Sequence, residues 1–170
     1  MEPTIIDKGQ VILLGLSFFG DPFRISEGWT EENEIGRLWQ RFTTYLMKHQ
    51  DRLKHIATDK VSYEVHVYND ETMSKGIFEV FVGVEVEKLE DVPVDLLAKM
   101  LPPAKYAVFT LEGAQITSDW PKTIQEWMLD SGYRQAHTYG FQLYDERFKG
   151  LDRIEESTLD IYVPIEDETP

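Results

Sequence analysis

Between Phe78 and Glu87 the chain alternates strictly. Phe78, Val80, Val82, Val84 and Val86 fall on one side, and Glu79, Phe81, Gly83, Glu85 and Glu87 on the other. A period of two held over this stretch fits a half-buried strand and would scatter apolar side chains around a helix. Ser62–Tyr68 repeats the pattern, with Tyr63, Val65 and Val67 set against Glu64, His66 and Tyr68. Polar residues Asn69 to Gly76 join the two as a hairpin loop. A chain with such strands must build a sheet, and the rest of the sequence has to supply its partners and its cover.

Residues 31–49 supply the first cover. Ile35, Leu38, Trp39, Phe42 and Leu46 recur at helical spacing and share one face. Thr30 stands where an N-cap is expected. Glu31, Glu32 and Glu34 suit the positive end of the helix dipole, and Lys48 and His49 its other end. Upstream, Gln10–Phe19 holds an apolar run of strand length, stopped by Gly20-Asp21-Pro22. Leu89–Pro103 is a proline-bearing connection in which Val94–Met100 is expected to make one or two helical turns. Then the order restarts. Lys105–Glu112 reads as a strand. Ser118 or Asp119 caps a helix with Pro121 in its first turn, a stripe of Ile124, Trp127 and Met128, and Gly132 at its end. Tyr139–Tyr144 and Leu159–Ile165 read as strands, and the acidic tail 167–170 is expected to fray.

The order strand, helix, strand, strand thus occurs twice, and pieces of the halves answer each other. Leu38-Trp39 answers Glu126-Trp127, Tyr63-Glu64-Val65 answers Phe141-Gln142-Leu143, and Phe81-Val82-Gly83-Val84 answers Tyr162-Val163-Pro164-Ile165. The expected fold is α+β: one domain, residues 1–166, of two pseudo-symmetric βαββ repeats at about 1–88 and 103–166. They would form an antiparallel sheet with helices on one face. A cleft where the halves meet is a natural ligand site.

Composition narrows the function. The 170 residues carry 17 Lys and Arg against 31 Asp and Glu, a net charge of −14. Such a chain repels phosphate backbones, so no direct nucleic-acid role is expected. There is no cysteine for a disulfide or a thiol nucleophile. No apolar run is long enough for a transmembrane helix, and Met1-Glu2-Pro3-Thr4 is unlike a signal peptide, so a cytoplasmic protein without membrane contact is expected. His49, His55, His66 and His137 form no HxH or HxxxH pair, and neither metal nor cofactor is expected. No nucleophile elbow or glycine-rich phosphate loop occurs, and no residue is assigned as catalytic. What stands out is the aromatic set Trp39, Tyr63, Phe81, Tyr106, Trp127, Tyr139, Phe141, Tyr144 and Tyr162. Any one of these fits an ordinary core. Lining a concave face together, they would hold a flat apolar or cationic ligand, and a carboxylate at the same depth would select the cation.

Several segments are specific enough to name a family. Pro103-Ala104-Lys105-Tyr106-Ala107-Val108-Phe109 followed by Glu112-Gly113 resembles the "P-a-g-K-Y-A-v-f…G" strand of the GyrI-like small-molecule-binding family. This is the effector-binding module of AraC-type and MerR-type multidrug regulators. In order along the chain, Phe81 to Val86, Val92-Pro93, Glu126-Trp127 with Ser131-Gly132-Tyr133, Phe141 to Asp145 and Leu159 to Ile165 resemble its further motifs. The resemblance implies two pseudo-symmetric βαββ repeats and a pocket between them for bulky, often cationic aromatic compounds. The positions it points to are Trp39, Tyr63, Tyr106, Gln142 and Tyr144, with Trp127 as the repeat partner of Trp39. It also locates a departure: the family's pocket glutamate in "F-E-l-Y" is Gln142 here. A neutral amide does not supply the buried charge that favours a cation. Glu64, the repeat partner of Gln142, and Glu155 are the candidates to replace it. Restoring the carboxylate by Gln142→Glu is expected to tighten cation binding by roughly tenfold.

The leading expectation is a stand-alone module that senses or sequesters small amphipathic or aromatic compounds. A second is a protein-interaction role with a partner of basic surface, like family members that inhibit DNA gyrase. The third is a hydrolase of strained cyclopropane-containing compounds, which needs the pocket glutamate.

Overall fold

The alternating segments pair as their pattern requires. The computed structural model describes residues 1–168. In it, nine strands make one antiparallel sheet: β1 (Thr4–Lys8), β2 (Val11–Gly20), β3 (Ser62–Val67), β4 (Phe78–Glu85), β5 (Leu97–Leu101), β6 (Ala104–Glu112), β7 (Tyr133–Gln135), β8 (Tyr139–Tyr144) and β9 (Thr158–Asp167). Their spatial order is β1-β6-β9-β8-β3-β4-β2-β5, with β7 paired to β9. Helix α1 (Glu34–His49) joins β2 to β3, the single turn α2 (Thr72–Lys75) sits in the β3–β4 hairpin, and α3 (Trp120–Asp130) follows β6. The fold is α+β, with both long helices on one face of the sheet.

The ladder registers carry a twofold relation. At the centre Glu64 of β3 faces Gln142 of β8. Outward from it, Tyr63 faces Gly83 as Phe141 faces Tyr162. Gly15 faces Gly83 as Val108 faces Tyr162, and Leu97 faces Gly15 as Thr4 faces Val108. Gly83, and not Phe81, therefore corresponds to Tyr162. The shift is two residues, which keeps each side chain on its face and so leaves the apolar pattern unchanged.

β1 leads into β2 across Gly9-Gln10 but pairs with β6. β5 leads into β6 across Pro102-Pro103 but pairs with β2. Each half is thus edged by the strand that leads into the other half, and the sheet curls until its ends approach. The curl buries an inner core in which Val11, Leu13 and Phe81 meet Tyr63, Tyr106 and Phe141. The outer face holds two separate cores. Leu38 and Phe42 of α1 pack on Leu14, Val80 and Val82, and Ile124 of α3 packs with Phe109, Leu111 and Ile161. Between them the central strands β3 and β8 are left without a helix over them.

Three local expectations are corrected. α1 begins at Glu34, not Glu31, because Asn33 is its cap: its Oδ1 accepts from the Gly36 amide at 3.0 Å and its Nδ2 donates to the Gly28 carbonyl at 2.9 Å. Thr30 belongs to the preceding loop. Within Val94–Met100 the chain enters the edge strand β5; backbone pairing with β2 decides this, and Leu97 and Met100 stay exposed. The tail does not fray at its start: Asp167 pairs with Tyr133 and the Glu168 amide donates to the Gly132 carbonyl. Its last two residues lie outside the described ones.

Candidate functional site

Strand parity decides which side chains reach the uncovered centre. Glu64 and His66 from β3 and Gln142 and Tyr144 from β8 point to the helix face and floor a cavity of about 970 Å³. Trp39 of α1 walls one side, and Trp120 at the start of α3 the other. Phe23 and Trp29 come from the loop before α1, and Phe148 from the loop after β8. Gly36 lets the first of these loops lie on its helix. A Cβ there would stand 2.4 Å from the Thr30 carbonyl oxygen and 2.5 Å from the Glu31 Cα. A narrower groove of about 440 Å³ continues under α3, sharing Glu64, His66 and Gln142 and walled by Ile124 and Met128.

The floor is one carboxylate set among an indole, an imidazole, a phenol and an amide. Glu64 is 3% exposed. The Trp39 indole Nε1–H donates to its Oε2 at 2.6 Å, and His66 Nε2 lies 2.6 Å from its Oε1. The Tyr144 hydroxyl donates to Gln142 Oε1 at 2.6 Å and stands 3.5 Å from Glu64 Oε2. A buried carboxylate without such donors costs several kcal/mol; here the indole and the imidazole offset part of that cost. Burial first, then the negative charge of Glu64, holds the Tyr144 phenol well above its ordinary range. The same two causes in the same order raise Tyr68. Neither phenol competes with Glu64 as an anion at neutral pH.

Rings flank the carboxylate on both sides. Trp39 meets Tyr144 edge-on at 4.8 Å, Tyr144 meets Phe148 at 4.8 Å, and Phe148 lies 6.5 Å from Trp29. Opposite, Phe78 gathers His66, Tyr68 and Phe23 at 5.3, 5.7 and 6.3 Å. Glu27, Glu31 and Asp119 add acid to the wall against the single ammonium of Lys60, while Asp145 is paired with the Arg147 guanidinium at 2.8 Å. The field inside favours a cation, and the π faces add to that preference.

Of the residues singled out in the sequence, Trp39, Glu64, Gln142 and Tyr144 share this cavity. Tyr63 and Tyr106 do not. They lie on the inner face, where the Tyr63 hydroxyl donates to Glu85 Oε2 at 2.6 Å and the Tyr106 and Tyr139 hydroxyls bond at 2.7 Å. The reason is elementary: Tyr63 precedes Glu64 in one strand, so the two face opposite ways. Trp127 packs edge-on against Phe109 at 5.3 Å and stacks with Tyr133 at 6.1 Å, away from the cavity. Glu155 is exposed on a short 3-10 turn beside Gly113. Sequence reasoning missed His66 and Tyr68, although their spacing of two and four from Glu64 puts them on its face. It also missed Trp29, Trp120 and Phe148, which loops and a helix start bring in. Among the described residues no cluster of three or more His, Asp or Glu is placed to hold a metal ion.

This combination of fold and cavity has relatives. The sequence profile of the integron-associated effector binding proteins (Cass2) matches residues 4–165, and the chain belongs to this GyrI-like effector-binding family. The transcriptional regulator BrlR of Pseudomonas aeruginosa is 29% identical over 168 residues, 97% of this chain and 56% of BrlR. The chain therefore spans about half the length of that relative. Among solved structures, SAV2435 bound to tetraphenylphosphonium superposes with a TM-score of 0.71 at 16% identity, covering 98% of this chain and 94% of that one. The EcmrR–DNA complex gives a TM-score of 0.71 at 13% identity, covering 98% of this chain and 57% of EcmrR. At these identities the likeness is one of fold. No helix among the described residues is long and apolar enough to cross a membrane.

Proposed function

We propose that this domain binds bulky aromatic, lipophilic cations in the cavity over β3 and β8, as the recognition step of a sensing or sequestering role. One observation carries the reading: Glu64, 3% exposed, sits at the floor between two groups of rings. The charge absent at Gln142 is supplied by its cross-strand partner. A delocalised cation suits such a site because it loses little hydration on entry and gains both the carboxylate and the ring faces. The cavity size falls in the range of small-molecule sites. That SAV2435, of the same fold, is known with tetraphenylphosphonium supports the class of ligand. The hydrolase reading draws no support from a carboxylate whose two oxygens already engage Trp39 and His66.

Calorimetric titration with tetraphenylphosphonium and with neutral triphenylphosphine oxide tests this. Glu64→Gln is expected to weaken the cation by about 10- to 100-fold and to leave the neutral compound within a few-fold, as befits the loss of one buried charge pair. Equal changes for both ligands, or no binding of the cation by the unmodified protein, would refute it.

A further inference from the structure

The carboxylate that serves a ligand already has a partner of its own. His66 is two residues from Glu64 on the same face of β3, and its Nε2 lies 2.6 Å from Glu64 Oε1. Its side chain is 15% exposed and lines both the main cavity and the groove under α3. Its ring packs against the Phe78 ring at 5.3 Å and the Tyr68 ring at 6.4 Å.

We propose that His66 is a specificity-determining residue: an internal cation that, when protonated, competes with the ligand for Glu64 and makes cation binding pH-dependent. This rests on the reading of the cavity given above. A neutral imidazole donates its Nε2–H to the carboxylate and leaves the pair with a net charge of −1. Taking up one proton on Nδ1 makes the pair neutral, and an entering cation then meets an imidazolium beside its counter-ion. Ligand binding and protonation of His66 oppose each other, so by linkage the bound cation expels that proton.

The other groups facing the pair do not offer the same device. Glu27 and Glu31 come from the loop before α1, Asp119 from the start of α3 and Asp145 from the end of β8. Lys60 precedes β3, and Lys122 lies on α3. Carboxylates and alkylammonium groups as classes keep their charge between about pH 5.5 and 8. Tyr68 just past β3, Tyr144 on β8 and Tyr162 on β9 are held above the ordinary phenol range, by burial first in each case. Gln142, Trp39 and Trp120 do not titrate. Imidazole is the class on this wall that changes charge within that window.

The experiment is a tetraphenylphosphonium titration of the intact chain at pH 5.5 and pH 8.0. It is run in two buffers of different ionisation enthalpy, so that protons released on binding are counted. The unmodified protein is expected to bind about tenfold more tightly at pH 8.0 and to release up to one proton at intermediate pH. His66→Gln keeps an N–H donor for Glu64 and cannot titrate; it should bind with the same affinity at both pH values and release none. Triphenylphosphine oxide should show no pH dependence on either protein. Tight cation binding that is flat with pH, or a slope that survives in His66→Gln, overturns the role of His66 while leaving the cavity reading in place. Absence of cation binding at both pH values, or binding indifferent to Glu64→Gln, overturns the cavity reading and this inference with it.

Discussion

The two halves of the sheet share their main ladders and differ at the centre. In the first half the central residue is Glu64, with His66 two positions on. In the second half the corresponding residues are Gln142 and Tyr144, and the phenol donates to the amide oxygen. Glutamate at both central positions would set two carboxylates opposite each other across one strand pair, where like charges repel. A twofold scaffold of this kind therefore has room for one central carboxylate, and either half can hold it. In this chain the half that holds it also brings Trp39 and His66 as donors. The neutral half brings a donor matched to an amide. What the comparison teaches is that the fold is symmetric while the electrostatics is not, and that reading one repeat alone misplaces the charge.

The halves differ a second time one rung further out. Gly15 and Gly83 face each other where the second half has Val108 and Tyr162. A Cβ at Gly15 would stand 1.9 Å from the Val82 carbonyl oxygen, and one at Gly83 2.5 Å from that of Leu14. The backbones of β2 and β4 approach too closely here for any side chain. Gly15→Ala is the largest effect we expect, a loss of more than about 3 kcal/mol, because backbone and not a yielding side chain is in the way. Val108→Ala at the corresponding position should cost only about 1–2 kcal/mol, for a partly filled cavity. Urea denaturation of both variants decides it. Equal costs would mean that the first half is bent no more tightly than the second.

Much of this was open to a reader of the sequence. The strict alternation of Phe78–Glu87, the helical stripe of Ile35, Leu38, Trp39 and Phe42 and the second run of the same order foretell the sheet and its helices, and the family came separately, from the resemblance of segments such as Pro103–Phe109 and Phe141–Asp145 to its motifs. Strands β1, β5 and β7 were not legible, because edge strands are short and held by backbone bonds that leave no apolar pattern. The site was half legible. Period two already separates Tyr63 from Glu64 and unites Glu64 with His66, so the inner-face placement of Tyr63 followed from its strand alone. That Trp29, Trp120 and Phe148 reach the same cavity depends on loop paths and on the close seat of Gly36, which local pattern does not encode.

The charge asymmetry itself can be tested by adding a second charge and then moving the first. Gln142→Glu places a carboxylate opposite Glu64, and one member of the pair must hold a proton. The folded state then binds a proton that the unfolded chain releases near neutral pH, so stability falls as pH rises. A cost of about 2 kcal/mol at pH 8, largely recovered by pH 5, is expected from thermal and urea unfolding. With Glu64 already present, the gain in cation affinity should be under about threefold, smaller than the roughly tenfold expected from position 142 considered alone. The double variant Glu64→Gln/Gln142→Glu moves the charge across the axis. It should recover most of the pH 8 stability and keep part of the cation binding. If the single variant is as stable at pH 8 as at pH 5, the two side chains do not share one floor.

The smallest expected effect compares the tryptophans of the two long helices. Trp39 donates to the buried carboxylate and lines the cavity; Trp127 packs between Phe109 and Tyr133 outside it. Phenylalanine at either position keeps a ring and removes the indole N–H. At position 39 that removal leaves a buried charged acceptor one donor short, and a cost of about 1–2 kcal/mol in stability is expected. At position 127 no carboxylate depends on the indole, and the loss should stay under about 1 kcal/mol, for reduced packing area. Fluorescence separates the two further. Tetraphenylphosphonium entering the cavity comes beside Trp29, Trp39 and Trp120 but not Trp127. Trp127→Phe should therefore keep its cation affinity within about twofold and lose none of the ligand-induced change in indole emission, while Trp39→Phe loses part of that change. A Trp127→Phe protein whose emission no longer responds to the cation would place the ligand under the second helix, and the asymmetry between the halves would run the other way.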